Sequence, residues 1–254
     1  METLNITSKK GTLTIKWSNP DKLVFYAAQQ AGCYLDRLDN IDWNLDQRFL
    51  PLHKKHFYEW NQYLWTQREE MSVFDLPESP KILDIGCGVS ITDLLLYSYI
   101  PNSKFYLVDN NGDWPTDLSP TAVSYSVDHP FYNSWDIVED SIVTSEFNRQ
   151  RFEILDPQNQ FPKDLDLIMS SFSWCFHYPK ETYWNKVLKS LKTGGKLFLD
   201  VRLLPDRDVI KEISQELNSE PTMVRMRDLP EYLDHIPLPG NDTVGYRCLW
   251  VKNS

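Results

Sequence analysis

The sequence is poor in the features that direct a protein to a membrane, to the exterior of the cell or to a nucleic acid. None of its apolar runs approaches the roughly 20 residues that span a bilayer, and Met1 is not followed by the basic stretch and apolar run of a secretory signal. Its four cysteines, Cys33, Cys87, Cys175 and Cys248, lack the paired spacing of a zinc site. The 26 basic residues are outnumbered by 36 acidic ones, and the resulting charge of -10 repels phosphates. We therefore expect a cytoplasmic protein with free thiols and no bound metal, for which DNA is a disfavoured partner.

The size of the chain predicts one main folded domain. With 254 residues, 41% of them hydrophobic, the sequence can build one large core. The pattern changes near residue 80, so we predict an N-terminal extension or cap at 1–78 and a main domain at 79–254. In the extension we expect a short strand at 12–15 and helices at 23–35 and 48–70, the last with apolar residues at helical spacing.

The main domain begins with a strand, a glycine turn and a helix. Residues 81–85 form a short apolar run that leads into Gly86-Cys87-Gly88, and a helical pattern follows at 92–99. A second apolar run at 104–108 ends in Asp109. A strand, helix and strand of this length form a crossover unit, which indicates a parallel sheet.

The same alternation continues to the C-terminus, after a proline-containing loop at 110–133. A third strand ends in Asp156, and we expect Gly194 and Gly195 to end the helix that precedes the fifth strand. The remaining predicted helices are 135–147, 183–191 and 208–217, and the remaining strands are 151–155, 165–169, 196–201, 221–226 and 244–251.

This arrangement resembles the class I S-adenosylmethionine-dependent methyltransferases. The resemblance covers about residue 81 to the C-terminus and depends on Asp84-Ile85-Gly86-Cys87-Gly88, on Asp109 about 20 residues later, and on the turn at 191–197. It implies an α/β fold, a Rossmann-like three-layer sandwich whose seven-stranded sheet is mostly parallel with an antiparallel last strand, here with an N-terminal helical extension. The cofactor it implies is S-adenosylmethionine.

The glycine turn alone does not exclude a dinucleotide cofactor, because nicotinamide and flavin enzymes also place glycines after their first strand. Those enzymes usually have a third glycine, where this chain has Ser90. Asp93 would also place a negative charge beside a phosphate at the start of the helix. Both residues favour a cofactor without phosphates.

The resemblance assigns cofactor roles to residues at the ends of the first four strands. Gly86 and Gly88 let the backbone approach the methionine part, although glycines also occur in purely structural turns. Asp84 holds the amino end, and Asp109 accepts hydrogen bonds from the ribose hydroxyls unless it is a simple turn acid. Asp156 faces the adenine amino group, and an ordinary turn explains it equally well. The further cofactor residues that the resemblance implies are Cys87, Asn110 and Ser170.

The segment 170–178, after the fourth strand, corresponds to the part of the family that faces the methyl group and its acceptor. It has neither the Asn-Pro-Pro-Tyr or Asp-Pro-Pro-Tyr quartet nor the Pro-Cys pair of DNA-base methyltransferases. Trp174, Phe176, His177 and Tyr178 form a candidate aromatic wall for the acceptor, and His177 is a candidate general base. Packing within the core is the alternative role of these side chains.

The resulting prediction is a methyltransferase that modifies an oxygen or nitrogen atom of a small molecule. The alternatives are a methyltransferase that acts on protein or RNA, a relative that transfers an aminopropyl group, and a noncatalytic cofactor-binding or scaffold protein with the same fold. The sequence makes no prediction about the oligomeric state.

Overall fold

The computed structural model describes residues 1–18, 61–62, 65, 75–109, 135–171, 173–176, 178–225 and 245–253. The chain forms two compact units, and neither is one continuous segment. The first contains Met1–Asp75, Gly88–Pro101 and Asn110–Arg151, and the second contains Leu76–Cys87, Asn102–Asp109 and Phe152–Ser254. No helix in the described part of the chain is long and apolar enough to cross a membrane.

The first unit is built around a β-hairpin. Strands β1 (Glu2–Ser8) and β2 (Gly11–Trp17) pair along their whole length in antiparallel register. Alternate side chains are buried on one face, as expected of a hairpin with one covered side: Leu4, Ile6, Ile15 and Trp17. Strand β2 confirms and extends the strand predicted at 12–15, whereas β1 was not predicted.

The hairpin packs against helices from later in the chain, α1 (Ile91–Tyr99) and α2 (Trp135–Thr144). At the end of β2, the backbone N–H of Lys16 donates to Ser145 Oγ at 2.7 Å, and Ser18 N–H donates to Asp140 Oδ2 at 2.8 Å. Because of these contacts, the first unit includes both N-terminal residues and helices from later in the chain. The predicted division into domains at 1–78 and 79–254 stays a prediction.

Little of the predicted N-terminal helical extension lies in the described residues. Asn61, Gln62 and Trp65 are helical, as the prediction of a helix at 48–70 requires. The Trp65 ring lies 5.5 Å from the Tyr99 ring of α1, and Gln62 Nε2 donates to the Thr7 carbonyl at 3.0 Å. The helix predicted at 23–35 lies outside the described residues.

The second unit contains a seven-stranded sheet in the order β5-β4-β3-β6-β7-β9-β8. Strands β3 to β7 are parallel to one another, and β9 is antiparallel to both of its neighbours. This confirms the predicted mostly parallel sheet with an antiparallel last strand. The strands are β3 (Lys81–Ile85), β4 (Lys104–Val108), β5 (Phe152–Leu155), β6 (Leu165–Ser170), β7 (Leu191–Arg202), β8 (Thr222–Arg225) and β9 (Gly245–Val251).

Two helices, α3 (Trp184–Ser190) and α4 (Val209–Leu217), belong to the same unit as the sheet. Their apolar faces join the core that includes β6, whose six residues are all buried. A strand buried on both faces is typical of the middle of a parallel sheet. The position of β6 therefore brings its C-terminal end beside the end of β3.

The predicted glycine cap after α3 is wrong. The helix ends at Ser190, and Leu191 is already extended and begins β7. Gly194 has φ +77° and lies in an irregularity of the β6/β7 pairing, between the partner of Leu165 and the partner of Leu167. Its N–H donates to the Lys252 carbonyl at 2.7 Å, so Gly194 shapes a strand junction and does not end a helix.

Candidate cofactor site

The candidate site lies at the edge of the sheet where the parallel strands end. Ile85 of β3 pairs with Val108 of β4, so Gly86 and Asp109 each follow directly after a paired residue. Strands β5 and β6 end at the same edge. Ligands of open α/β sheets bind outside the carboxyl ends of the strands, so this edge can hold a cofactor.

The glycine loop is tied to the end of β4. Gly86 N–H and Cys87 N–H both donate to the Val108 carbonyl, at 2.7 and 3.3 Å. Gly86 has φ +79° and Gly88 φ +56°, a backbone conformation that glycine adopts without steric cost. The loop therefore turns sharply and stays beside the residue that precedes Asp109.

A side chain at Gly86 would collide with the protein itself. A Cβ atom there would lie 2.1 Å from Ser173 Oγ and 2.2 Å from Ser173 Cβ. The backbone conformation and this close approach together require glycine at the position, whether or not a cofactor is bound. The additional role, access of the backbone to the methionine part of a cofactor, stays a prediction.

Ser170 connects the glycine loop to the segment after β6. Its side chain is buried; Oγ donates to the Ile85 carbonyl at 2.6 Å and accepts from Trp174 N–H at 3.0 Å. The hydroxyl is inside the protein and engaged with backbone groups, and the contact of Ser170 with a cofactor stays a prediction. Ser170 positions the two loops that border the candidate site.

The three predicted acidic residues lie in different environments. Asp84 is 6% exposed in β3, and Asp109 is half-buried after β4. Asp156 is exposed, and its Oδ1 accepts from Gln158 N–H at 2.7 Å, a side-chain turn that explains an acid at this position. A role for Asp156 with adenine stays a prediction.

Comparisons with known proteins give matches among solved structures. Neither a protein-family model nor a curated protein matches the sequence. Two structures of StiE O-MT match at 12% identity: residues 942-1257 with a TM-score of 0.52, covering 91% of this chain and 90% of that one, and residues 961-1257 with a TM-score of 0.51, covering 80% and 77%. This chain has the class I methyltransferase fold. A SAM dependent methyltransferase from Aquifex aeolicus matches with a TM-score of 0.45, at 12% identity over 74% of this chain and 91% of that one.

Of the predicted catalytic residues in this methyltransferase fold, Trp174 lies in the hydrophobic core. Its side chain is 0% exposed, its indole N–H donates to the Lys180 carbonyl at 3.0 Å, and its ring lies 6.2 Å from the Trp184 ring. Trp174 therefore packs inside the protein, which was the alternative role, and its contact with an acceptor stays a prediction. His177 and Asn110, the other predicted residues of this edge, lie outside the described residues.

The Asp109 carboxylate acts on two tyrosines, and only one of them was predicted at the site from the sequence. Burial raises the pKa of both Tyr178 and Tyr183, and the nearby Asp109 carboxylate raises both further. Tyr178 was predicted as part of the aromatic wall. Tyr183 was assigned only to a helix face, and no sequence signal marks its proximity to Asp109, because that proximity depends on how the chain folds back after β6.

A charged network holds the segment that carries these tyrosines. Lys180 is 6% exposed, and its Nζ lies 2.8 Å from Glu212 and 2.8 Å from Glu216 of α4. Burial lowers the pKa of Lys180, but the hydrogen bonds to the two glutamates outweigh burial and the pKa is raised. Arg207 pairs with Glu181 and Glu212. These two cations therefore bind protein carboxylates.

Proposed function

We propose that the protein is an S-adenosylmethionine-dependent methyltransferase whose acceptor is an oxygen or nitrogen atom of a small molecule. The observation that carries the proposal is the pair of acids on adjacent strands, Asp84 in β3 and Asp109 after β4, with the glycine loop tied to the same strand end. The ammonium group and ribose hydroxyls of this cofactor are hydrogen-bond donors, and carboxylates are acceptors. The residues present therefore fit the cofactor.

Acidic residues also make a phosphate-containing cofactor a poorer fit. Helix N-termini that bind phosphates offer free backbone N–H groups to the anion. In α1 the first turn contains Asp93, which is buried. A phosphate brought to this helix end would meet a carboxylate, which favours a cofactor without phosphates.

The cofactor supplies a methyl group on a positively charged sulfur, and the protein's task is to align the acceptor with that group and exclude water. In the proposal, Asp84 holds the amino end and Asp109 holds the ribose. Ser170 and the segment after β6 border the acceptor side. His177 keeps its proposed role as general base, which is required only when the acceptor must lose a proton.

Calorimetry of cofactor binding tests the first step of the proposal. Asp109→Ala removes the acceptor of two hydrogen bonds and should weaken binding by about tenfold to a hundredfold. Asp206→Ala is the matched control, since Asp206 is an exposed acid in the loop after β7 and should bind as the unaltered protein does. Absence of any binding to the unaltered protein would contradict the proposal.

Transfer of tritium from labelled cofactor into cell extract tests the second step. Label in the low-molecular-weight fraction supports a small-molecule acceptor. Label in protein or RNA would replace that acceptor class with a macromolecule. Cofactor binding without any transfer would instead support a noncatalytic binding protein.

A further inference from the structure

The connection between β5 and β6 crosses two strands without a helix. Strands β4 and β3 lie between β5 and β6 in the sheet, and only residues 156–164 join the two strands. Parallel crossovers usually take about a dozen residues or more and contain a helix, which pairs its own backbone groups. Residues 156–164 form turns and irregular structure instead. Their carbonyl groups therefore take hydrogen bonds from another element or from water.

Helix α3 supplies donors to this connection from one of its sides. Lys186 Nζ donates to the Pro157 carbonyl at 2.6 Å and to the Gln158 carbonyl at 3.0 Å. One turn further along the helix, Ser190 Oγ donates to the Phe161 carbonyl at 3.3 Å. Residues i and i+4 of a helix are neighbours on its surface, so both donors lie on the same side of α3. The connection is thus fastened along that side.

Lys186 differs from Lys180 and Arg207 in the kind of partner it has. Among the residues that the structure describes, its hydrogen bonds go only to the two carbonyls, and its ammonium lies 5.5 Å from the centre of the Phe161 ring. Lys180 and Arg207 contact glutamates. A cation that binds two successive carbonyls, in a chain with an excess of acids, holds a short backbone segment in place.

The two carbonyls belong to the turn that begins at Asp156. Gln158 N–H donates to Asp156 Oδ1 at 2.7 Å, and Asn159 N–H donates to the Asp156 carbonyl at 3.0 Å. Pro157 and Gln158 are therefore the central residues of the turn, and both of their carbonyls bind Lys186. The ammonium of Lys186 thus fixes the peptide groups that in turn fix the Asp156 side chain.

Asp156 lies at the edge of the sheet that contains the candidate site. Val108 of β4 pairs with Leu155 of β5, so Asp156 follows β5 at the level where Asp109 follows β4. The turn uses one oxygen of the Asp156 carboxylate, and Oδ2 has no hydrogen-bond partner in the described part of the chain. Both oxygens of a carboxylate accept hydrogen bonds, so the turn and a ligand amino group can share this side chain.

We propose that Lys186 is a positioning residue that orients Asp156 to accept a hydrogen bond from the adenine amino group of the methyl donor. This inference rests on the proposed function. Lys186 contacts the turn and not the ligand. Because it holds two successive carbonyls, it sets the direction of the carboxylate before the ligand binds. Without it the turn takes several orientations, and the protein distinguishes less well between adenine and a purine that lacks the amino group.

Dissociation constants for S-adenosylhomocysteine and S-inosylhomocysteine, measured by calorimetry on the full chain, test the proposal. The inosyl compound presents an oxygen where adenine presents its amino group, so it cannot donate to Asp156 from that position. The ratio of the inosyl constant to the adenosyl constant should be about tenfold in the unaltered protein and should fall about threefold to fivefold in Lys186→Met. Lys186→Arg keeps a cation that can donate to both carbonyls and should retain the ratio.

Matched variants separate positioning from a general loss of structure. Methionine keeps an unbranched apolar side chain of similar length, so Lys186→Met should fold. Lys189→Met makes the same change at an exposed position of α3 and should leave the ratio unchanged. In an Asp156→Ala background the ratio is already low, and Lys186→Met should lower it no further. A general loss of structure would weaken both ligands equally and leave the ratio as it was.

The possible failures are distinguishable. An unaltered ratio in Lys186→Met, with both ligands still bound, would overturn the positioning role. Equal affinity of the unaltered protein for the two ligands would also overturn it and would leave the proposed function in place. Failure of the unaltered protein to bind either ligand would overturn the proposed function as well.

Discussion

Gly86→Ala separates what the fold needs at the glycine loop from what a cofactor would need. Alanine at φ +79° costs about 1–2 kcal/mol relative to glycine. The new Cβ would also lie 2.2 Å from Ser173 Cβ, which cannot rotate away as a hydroxyl can. One of the two loops must then move, at a further cost of about 1–3 kcal/mol. We therefore expect the free energy of unfolding to fall by about 2–5 kcal/mol.

Two matched variants divide this loss into its parts. Gly194 has φ +77°, and a Cβ added there would have no atom within 4 Å, so Gly194→Ala should lose only the conformational part, about 1–2 kcal/mol. In a Ser173→Gly background, the nearest remaining atom to a Cβ at Gly86 is the backbone Cα of residue 173, at 3.8 Å. There Gly86→Ala should cost as little as Gly194→Ala does.

Urea unfolding followed by tryptophan fluorescence measures all four corners of this double-mutant cycle. The expected coupling between positions 86 and 173 is about 1–3 kcal/mol. Equal losses for Gly86→Ala in both backgrounds would refute the contact as the reason for glycine. Cofactor binding by the doubly substituted protein then shows whether the cofactor also requires glycine, because in that variant the fold no longer does.

The remaining predictions concern charge. Hydrogen bonds from Arg207 and Lys180 hold the pKa of Glu212 at about 2, so its stabilisation is present above about pH 4.5 and is lost as the pH falls towards 2. Glu212→Gln should therefore reduce the change of the urea unfolding midpoint between about pH 5 and 2. At neutral pH it should lower the free energy of unfolding by only about 1 kcal/mol, because the ion pair is partly exposed. An unchanged pH dependence of the midpoint would contradict this. Arg247→Met should destabilise by about 3–5 kcal/mol, because it leaves the buried Asp200 carboxylate without the guanidinium that contacts it at 2.8 and 3.1 Å. Adding Asp200→Leu should recover most of that stability in the same urea assay, and no recovery would refute the pairing.

The parallel sheet was predictable because the burial of each strand is reflected in the residues of that strand. Strand β6 is mostly apolar apart from Asp166 and the terminal Ser170, as expected of a strand buried on both faces, and the glycine turn after β3 appears directly in the sequence. Strand β1 was missed because it is recognisable mainly by its pairing with β2 and by the helices that cover it. Gly194 was misassigned because a glycine after a helical pattern predicts a cap, whereas the pairing of β7 with β6 decides its actual place.

The candidate site shows the same limit at the level of side chains. Asp84 and Asp109 could be placed together from the sequence because the ends of parallel strands meet at one edge; their role with a cofactor stays a prediction. The contact of Ser173 with Gly86, and the approach of Tyr183 to Asp109, depend on the path of the loop after β6. No spacing in the sequence encodes that path, so these residues could be recognised only in the structure.

The contact between Ser173 and Gly86 also changes which residues support a cofactor. A glycine that the fold requires is expected in this loop with or without a bound ligand, so the loop alone is weak support for binding. Asp84 and Asp109 differ, because the contact between Ser173 and Gly86 does not require an acid at either position. The stronger structural support for a bound ligand is therefore the pair of acids on the adjacent strands β3 and β4.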